Sequence, residues 1–379
     1  MESKKIKILH LTTDSKIGGT ENLLIWLARN YDHQNFQMRF CTLKKKGPLQ
    51  EQLESIGEKT YGLKIEKNIW DWGKGKKIFD ILSDFQPEIL HTHLLHAGLM
   101  GTFVRQFKKK IKIIHSRHYT SEFFKGNGFI QPYLDSFLLK RYSNIVAISN
   151  AVKEDLKNTY KIDPTKITKI YNGIDLDWLY EKTREKPSEV IKKISCCPKT
   201  PKLGVIGSLT RCKNHIMVIN SASSLIKNFP DVHIFFIGGG KLKKQYENLI
   251  KKKGLSSVFT FTGYCDQIPL AIKELDLILC PSQSEGFGLV ACEAMALKVP
   301  LVASDISSFR EIIGSERSEL LFNINSEEDL TRAIKGLLKN EKLRNQCIET
   351  GYKQIEEKFN VKVMTEQIQK LYLKTMADG

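Results

Sequence analysis

The sequence has no apolar run long enough to cross a bilayer, and its amino-terminal apolar stretch at residues 6–11 is too short and too polar for a signal segment. Its eight cysteines are scattered, and none belongs to a C-x-x-C motif. This spacing predicts reduced thiols in a cytoplasmic protein rather than a disulfide scaffold. If the protein meets a membrane, we expect it to do so from the inner, cytoplasmic face.

Internal repeats and low-complexity segments are also missing, and 41% of the 379 residues are hydrophobic, which excludes a disordered chain. Acidic residues are fewer than basic residues. There are 42 Asp and Glu against 59 Lys and Arg, a formal net charge of +17. This excess indicates an anionic partner, and nucleic acid, a membrane surface and a phosphorylated small molecule all qualify.

Short apolar runs alternate with helical segments in two successive series, a pattern typical of parallel sheets covered by helices. The runs lie at 6–12, 36–43, 88–94, 111–116, 144–149 and 167–171, then at 203–209, 232–237, 258–263, 275–281, 301–304 and 320–322. We therefore predict two doubly wound α/β domains, at 1–180 and 202–357, with a Lys- and Pro-rich linker at 181–201.

A helical tail completes the chain. Ser326 and Asp329 predict a helix start, and Met364, Ile368, Leu371 and Leu373 are placed on one helical face. We expect the helix at 358–379 to bury that face, most simply by packing back on the first domain.

In open α/β sheets, ligands bind beyond the carboxyl ends of the strands. After the first strand, Gly18 and Gly19 open a helix and allow a ligand to approach backbone N–H groups, although a plain turn would look the same. His91 and His93 share a strand face, but no carboxylate follows at metal-ligand spacing, so a metal is not expected. His118, just past the strand at 111–116, is placed to orient a substrate hydroxyl or phosphate.

The second series of strands is followed by the residues that most strongly indicate a ligand site. Arg211 and Lys213 lie at a strand-to-helix turn, where two cations suit a diphosphate, or else form a solvated basic turn. Residues 282–295 then combine two glycines at a helix start, Gly286 and Gly288, with two glutamates. Glu285 stands just outside the helix and Glu293 lies two turns in, which suits the hydroxyl groups of a sugar and a ribose.

The run from 285 to 295, with its two glutamates separated by seven residues, resembles the signature of the retaining nucleotide-sugar glycosyltransferases of family four. Other landmarks of that family are matched in order along nearly the whole chain by Gly18-Gly19-Thr20-Glu21, His91-Thr92-His93, 144–149, Tyr171-Asn172-Gly173-Ile174-Asp175, Lys213-Asn214-His215, Gly238-Gly239-Gly240 and Thr260-Phe261-Thr262-Gly263. The resemblance implies the GT-B fold, in which two Rossmann-like domains face each other across a cleft.

The resemblance also implies roles for individual residues. Glu293 would hold the ribose hydroxyls, Glu285 the donor-sugar hydroxyls, and Lys213 with Arg211 the leaving diphosphate. The remaining implied site residues are Gly18 and Gly19 lining the donor site from the first domain, His118 near the reacting sugar, Gly286, Phe287, Gly288 and Leu289 around the sugar and diphosphate, and Gly263 and Tyr264 beside the base. Many family members carry an arginine where this chain has Ser208, so Arg211 is expected to supply the second cation.

The implied chemistry is transfer of a hexose from a nucleoside diphosphate sugar with retention of configuration. The acceptor hydroxyl enters on the face that the diphosphate leaves, so no protein nucleophile is needed. No metal and no other cofactor are expected, and Asp175 and Asp177 are interpreted as structural residues.

Three alternatives remain open. A sugar-nucleotide epimerase and an enzyme that glycosylates DNA bases share this type of fold. The third, from a different class, is a non-catalytic nucleic-acid-binding protein. Against the last, the lysines are spread over many segments rather than set in one stripe with interleaved aromatics, so nucleic acid is not expected as a partner.

The distribution of charge indicates the acceptor. Residues 1–175 carry 29 Lys and Arg against 18 Asp and Glu, and they include mixed basic and aromatic segments at 102–113 and 121–142. Phe103, Phe107, Phe129, Tyr133 and Phe137 lie there, and they are either core residues or part of a surface that docks on anionic lipid. We therefore expect a glycan or lipid-linked acceptor, used in envelope polysaccharide, lipopolysaccharide or glycolipid assembly.

Overall fold

The computed structural model describes residues 5–65, 72–124 and 130–377. The chain divides into two compact units. The first unit extends to Gly173 and includes the segment that begins at Val361, and the second runs from Ile174 to Asn360. The two units are described separately below.

The described part of the first unit contains a parallel sheet of seven strands in the order β3-β2-β1-β4-β5-β6-β7. The strands are β1 (Ile6–Thr12), β2 (Phe36–Thr42), β3 (Thr60–Gly62), β4 (Ile89–His93), β5 (Lys112–Arg117), β6 (Asn144–Ala147) and β7 (Ile167–Lys169). Their apolar side chains are buried because helices cover both faces of a parallel sheet. The sequence missed β3, an edge strand of three residues.

The helices of the first unit connect these strands, and a last helix returns from the end of the chain. They are α1 (Gly19–Asn30), α2 (Pro48–Ser55), α3 (Trp72–Phe85), α4 (Leu95–Phe107), α5 (Ile130–Leu139), α6 (Asn150–Asn158) and α16 (Val361–Ala377). Short 3-10 turns lie at Ser121–Phe124 and Pro164–Lys166. Helix α16 packs against α1, and the Gln369 side chain accepts a hydrogen bond from the backbone of Asp32 at 2.6 Å.

The apolar face of α16 differs from the predicted one at a single position. Met364, Ile368 and Leu371 are buried as expected, whereas Leu373 is 52% exposed. Tyr372 is fully buried instead. A helical period of 3.6 residues explains this difference, since position 372 follows 364 and 368 by whole turns and position 373 lies off that line.

The described second unit contains a parallel sheet of six strands in the order β10-β9-β8-β11-β12-β13. The strands are β8 (Lys202–Ile206), β9 (His233–Ile237), β10 (Phe259–Gly263), β11 (Leu277–Cys280), β12 (Leu301–Ser304) and β13 (Leu321–Phe322). All are paired in parallel. The prediction of two doubly wound α/β domains is therefore confirmed.

The helices of the second unit begin before its first strand. They are α7 (Leu176–Lys182), α8 (Glu189–Ser195), α9 (His215–Asn228), α10 (Lys243–Lys252), α11 (Ile268–Lys273), α12 (Leu289–Ala296), α13 (Ser307–Ile313), α14 (Glu327–Lys339) and α15 (Glu341–Glu357), with a 3-10 turn at Ser318–Leu320. Helix α8 lies within the segment 181–201, which is predicted from the sequence to be a linker.

Side-chain caps fix the starts of two of these helices, the first of them where the sequence predicts it. Ser326 accepts a hydrogen bond from the backbone N–H of Asp329 at 3.1 Å and starts α14. Asp175 accepts one from the backbone N–H of Trp178 at 2.9 Å and starts α7, so Asp175 has a structural task. Within the described residues, the helices include none that combines the length and the apolar character required to span a membrane.

Each sheet has one place where its strand order reverses. In the first unit this is the gap between β1 and β4, and in the second it is the gap between β8 and β11. At such a switch point the loops that follow the two strands diverge to opposite faces, which leaves a crevice at the carboxyl edge of the sheet. The residues at these two edges are therefore the candidates for chemistry.

Candidate active site

The loops after β8 and β11 meet at the switch point of the second unit through Lys213 and Glu285. Lys213 Nζ donates a hydrogen bond to Glu285 Oε1 at 2.5 Å, and the Ser282 hydroxyl donates to the same oxygen at 2.7 Å. The two side chains of the ion pair are 27% and 17% exposed. Burial works against the charge on Lys213, but the partner carboxylate outweighs it and raises the pKa of the ammonium.

Backbone contacts fix the relative position of these two loops. The N–H of Gln283 donates to the carbonyl of Cys212 at 2.8 Å, and the Cys212 thiol donates to the carbonyl of Ser284 at 3.0 Å. The contacts join residues that lie just before Lys213 and Glu285 in their loops. The distance between Lys213 and Glu285 is therefore set by the loop backbones as well as by the charges.

Glycine is required at two points of this edge. Gly288 precedes α12 with φ of 114°, and a Cβ atom there would lie 2.7 Å from Phe309 Cε1. A Cβ atom on Gly238, after β9, would lie 2.1 Å from the carbonyl oxygen of Gly207. The first glycine opens the start of α12, next to Gly286 and Leu289, and the second lets neighbouring loops touch through their backbones.

Glu293 lies in α12 and is 5% exposed. Burial raises the pKa of its carboxyl group to about 8. At neutral pH this group therefore holds a proton much of the time, and it can both donate and accept hydrogen bonds. Phe287, in the loop before the helix, is buried and its ring packs edge-on against Phe359 at 5.5 Å.

Three further predicted residues lie at the same carboxyl edge in more open positions. Arg211 is exposed in the loop after β8. Gly263 ends β10 with φ of 78° and has open space around it, and Tyr264, which follows, is 66% exposed. The edge thus offers cations and a carboxylate near its centre and an exposed aromatic ring at the end of β10.

In the first unit, Gly18 and Gly19 are exposed at the start of α1. One turn on, Glu21 is 6% exposed and accepts a hydrogen bond from the Thr12 hydroxyl at 3.4 Å. Burial raises the pKa of Glu21 to about 7. In the sequence, this glutamate is identified only as the last residue of the motif Gly18-Gly19-Thr20-Glu21. The structure shows that it is a buried acid behind the glycine loop.

His118 is half-buried just after β5, and its Nε2 atom lies 3.2 Å from His93 Nδ1. Burial, with a smaller effect of Arg117, lowers the pKa of His118 to about 4, so the ring is neutral at pH 7. His93 is in turn 3.1 Å from His10. His10, on β1, is aligned with His91 in the parallel register of β1 and β4.

The nitrogen atoms of His10, His91 and His93 lie within 4.8 Å of one another, a spacing that three ligands of a metal can have. All six of these nitrogens, however, already have hydrogen-bond partners in the protein. A metal would have to displace those bonds. The arrangement therefore favours a hydrogen-bonded histidine cluster.

Sequence reasoning missed several members of these two edges. Ser282 lies within the run 282–295, but no rule of residue spacing assigns it a role. His10 could have been found by aligning β1 with β4, because parallel register places equivalent strand positions side by side. Tyr372 is separated from its partners by nearly the whole chain and carries no local signal.

Two family models match the chain. The model described as Glycosyltransferase Family 4 matches residues 17–178, and the model described as Glycosyl transferases group 1 matches residues 188–354. With the two doubly wound sheets, these matches establish that the chain belongs to the family-four type of glycosyltransferase and has the GT-B fold.

Individual relatives agree with this assignment. The chain is 22% identical to the UDP-Gal:alpha-D-GlcNAc-diphosphoundecaprenol alpha-1,3-galactosyltransferase of Escherichia coli, over 97% of each chain. It is 26% identical to the N-acetylgalactosamine-N,N'-diacetylbacillosaminyl-diphospho-undecaprenol 4-alpha-N-acetylgalactosaminyltransferase of Campylobacter jejuni, over 66% of this chain and 67% of that one. The structure of Anabaena HepE in complex with UDP-glucose superposes with a TM-score of 0.82 at 19% identity, covering 97% of this chain and 100% of HepE.

Proposed function

We propose that the protein transfers a hexose from a uridine diphosphate sugar to a lipid-linked saccharide, with retention of configuration and without a metal ion. The observation that carries this proposal is the pair of Lys213 and Glu285 beside the start of α12. The pair offers a cation for phosphate and a carboxylate for sugar hydroxyls at one switch point.

The departing diphosphate carries the charge that develops in the transition state. Lys213 has three N–H donors, of which Glu285 accepts one, and phosphate oxygens can accept from the others. Backbone N–H groups at the start of α12 are proposed to donate to the same anion. One donor aimed at developing charge typically lowers a barrier by about 2.7–4 kcal/mol.

The other donor contacts follow from the same edge. Glu293 is proposed to bind the ribose hydroxyls, since it is buried and a buried carboxyl group is stabilised by hydrogen-bond partners. The ring of Tyr264 is exposed where β10 ends and is proposed to stack on the base. Replacing Tyr264 with Phe should retain uridine diphosphate binding, and replacing it with Ser should weaken it, as measured by calorimetry.

Retention is proposed from the stereochemistry that two relatives' names record. The Escherichia coli enzyme uses UDP-Gal and forms an alpha-1,3 bond, and the Campylobacter enzyme forms a 4-alpha bond. Hexoses of this kind are joined to their diphosphate by an α bond, so an α product preserves the configuration. The anomeric coupling constant of the product, read by NMR, tests this point, and a β product would contradict it.

Metal independence is proposed because Lys213 and the start of α12 supply the positive charge that a metal would otherwise bring. Turnover should then persist in excess EDTA and change little when magnesium or manganese is added. Loss of turnover in EDTA, restored by one of these ions, would contradict the proposal.

The acceptor is proposed to be a sugar on undecaprenyl diphosphate, because both named relatives act on such lipids. The donor and acceptor are tested together. The protein is incubated with UDP-galactose, UDP-N-acetylgalactosamine, UDP-glucose and UDP-N-acetylglucosamine, each with and without a short-chain polyprenyl diphosphate saccharide, and release of UDP is measured. We expect one donor to react in an acceptor-dependent way. No release with any pair would overturn the proposed function.

A surface of the first unit suits contact with such a lipid. Phe107, Tyr133 and Phe137 are exposed by 60%, 78% and 51% at the end of α4 and on α5. We call these rings and their cationic neighbours the basic aromatic patch; the cations are Arg105, Lys108, Lys109, Lys110, Lys140 and Arg141, all exposed. Phe103 instead packs against the core, and Phe129 lies outside the described residues.

Two contacts join the patch. Arg141 lies over the ring of Phe137, 3.3 Å from its centroid, and Arg105 Nη1 donates to the carbonyl of Arg141 at 2.5 Å. The rings can enter the headgroup region while the cations meet anionic lipid at about 1 kcal/mol each. We propose that this patch holds the protein at the inner membrane face.

Co-sedimentation with vesicles tests the docking proposal separately from catalysis. Vesicles rich in phosphatidylglycerol should bind the protein at low salt, and binding should fall as salt is raised. Changing Lys108, Lys109 and Lys110 together to Ala should weaken binding. The matched control changes the exposed Lys251, Lys252 and Lys253 of the second unit, and equal loss in both triple variants would contradict a specific patch.

A further inference from the structure

A tyrosine of the last helix is joined to His118 by a continuous series of hydrogen bonds inside the first unit. Tyr372 is fully buried, and its hydroxyl lies 2.6 Å from His91 Nδ1 and 3.3 Å from His10 Nε2. The hydroxyl therefore bridges two strands, β4 and β1, from a helix that is 281 positions beyond His91 in the sequence.

The series continues through both nitrogens of His10, His91 and His93 and ends at Nε2 of His118. His10 Nδ1 lies 3.1 Å from His93 Nε2, and His93 Nδ1 lies 3.2 Å from His118 Nε2. At the other end, His91 Nε2 lies 2.8 Å from the Ser116 hydroxyl. We call this series the histidine chain; its members, in order, are Ser116, His91, Tyr372, His10, His93 and His118.

The protons in such a chain cannot be placed independently. A neutral imidazole has one N–H and one lone pair, and a hydroxyl donates one hydrogen bond. Burial lowers the pKa of His10 to about 3 and those of His91 and His93 well below the usual value, so these rings are neutral at pH 7. Once the contact to which the Tyr372 hydroxyl donates is known, the directions of the other hydrogen bonds follow, because the hydroxyl can donate only once.

The two distances at Tyr372 indicate that direction. The short 2.6 Å contact suits an O–H donor, and hydroxyl donors form shorter hydrogen bonds than N–H donors. Tyr372 then donates to His91 and must accept from His10 Nε2 over the longer contact. His10 Nδ1 accepts from His93 Nε2, and His93 Nδ1 accepts from His118 Nε2.

We propose that Tyr372, His10 and His93 are positioning residues that hold His118 as its Nε2–H tautomer, so that Nδ1 presents a lone pair to a hydroxyl of the substrate. Nδ1 has no hydrogen-bond partner within the part of the chain that the structure describes. A pocket of about 30 Å³ lies beside His93, Ser116 and His118, which is room for one water-sized group such as a hydroxyl. The chain selects a hydroxyl over a phosphate oxygen, because a phosphate oxygen cannot donate a hydrogen bond.

The tautomer is measured on the ligand-free full chain labelled with ¹⁵N-histidine. Long-range proton–nitrogen spectra distinguish Nδ1–H from Nε2–H rings, and the His118 signals are assigned by their loss in His118→Gln. We expect a single Nε2–H form in the wild type. In Tyr372→Phe the chain loses its central hydroxyl, so the signals should shift toward a mixture of both forms.

Two further variants test whether the effect is specific to the histidine chain. Tyr142→Phe also removes a buried hydroxyl of the first unit, one that bonds Thr102 outside the chain, and it should leave the His118 signals unchanged. His10→Phe preserves a ring that can stack on Phe40, as His10 does at 5.1 Å, but it breaks the chain nearer His118 and should give the same mixture as Tyr372→Phe. It replaces Tyr372→Phe if that variant does not fold.

A proton on Nδ1 of wild-type His118, a charged ring at pH 7, or unchanged signals in both chain variants would overturn the inference. So would a transition metal in the purified protein that is lost on changing His10, since the three rings would then be ligands. The consequence for turnover rests on the proposed function: Tyr372→Phe should lower kcat about two- to tenfold with the KM for the donor unchanged. If no donor reacts, the proposed function fails, while the tautomer result still decides this inference.

Discussion

The two switch points of this protein use opposite physical means at equivalent places in their sheets. In the second unit the loops after β8 and β11 are joined by an ion pair, Lys213 with Glu285. In the first unit the corresponding strands, β1 and β4, carry neutral histidine rings that are joined by hydrogen bonds. His10 on β1 is aligned with His91 on β4 in the parallel register. A doubly wound sheet fixes where chemistry occurs but not whether it is ionic or neutral.

The difference matches the roles proposed for the two edges. A diphosphate brings charge, so the edge proposed to receive it needs a cation such as Lys213. A ring that orients a hydroxyl needs a fixed lone pair, and burial keeps the histidines neutral. The two units should therefore respond in opposite directions to pH, and four experiments test this difference.

The largest expected effect is loss of stability of the first unit in acid. The buried or half-buried neutral histidines are His10, His91, His93, His115 and His118, and their pKa values lie below 6.5. The unfolded chain therefore binds protons first as the pH falls below 6.5, and stability decreases down to about pH 3, where His10 of the folded protein titrates. His10 alone, with a pKa of about 3, should cost roughly 2 kcal/mol by pH 5.

Amide hydrogen exchange, corrected for its intrinsic pH dependence, can follow this loss on β4. The buried Glu21 and Glu58, each with a pKa raised to about 7 by burial, act in the opposite sense and offset part of it. The histidines outnumber them, so net loss of protection on β4 between pH 7 and pH 5 is expected. Unchanged protection would show that the histidine cluster does not stay neutral.

The next effect is loss of stability of the second unit in base. Glu293 has its pKa raised from 4.5 to about 8, so the folded protein holds this proton more tightly than the unfolded chain does. Its contribution is fully present below pH 4.5 and is lost as the pH rises through 8, about 3 kcal/mol of it between pH 6 and pH 9. Denaturant unfolding of the wild type and of Glu293→Gln at these two pH values measures the difference, and the variant should have the flatter profile.

Changing Lys213 to Ala should reduce turnover of the active donor by about 10²–10³, because one cation aimed at the leaving diphosphate is lost. The control is Lys243→Ala, which removes an exposed ion pair with Glu247 in the same unit and should leave turnover unchanged. Thermal unfolding of both variants shows whether the fold is intact. A folded Lys213→Ala protein with normal turnover would remove Lys213 from the site.

The smallest effect is expected at Arg211. This side chain is exposed, and an exposed cation is screened by water and salt, so Arg211→Ala should lower turnover less than about fivefold. The loss should shrink further at high salt, whereas the loss in Lys213→Ala should persist. An Arg211 effect as large as that of Lys213 would mean that the exposed cation does the work of the arginine that Ser208 replaces.

Local patterns in the sequence were sufficient for the fold. Apolar runs of strand length recur in two series, and twelve of them correspond to strands, because the burial of a parallel strand on both faces requires continuous apolar residues. Glycines and charged residues after the strands then located both edges, including Lys213, Glu285 and His118. The edge strand β3 escaped because three residues carry too little pattern.

Contacts between distant segments cannot be read from local patterns, and they become visible in the folded chain. The sequence placed Leu373 on the buried face of α16, whereas the structure buries Tyr372 there, and this tyrosine meets His10 across 362 positions. Burial likewise turned Glu21 and Glu293 into acids with raised pKa values. Residue type and spacing specify which groups are available, but hydrogen-bond partners and protonation depend on which other segments exclude water around them, and only the folded chain brings those segments together.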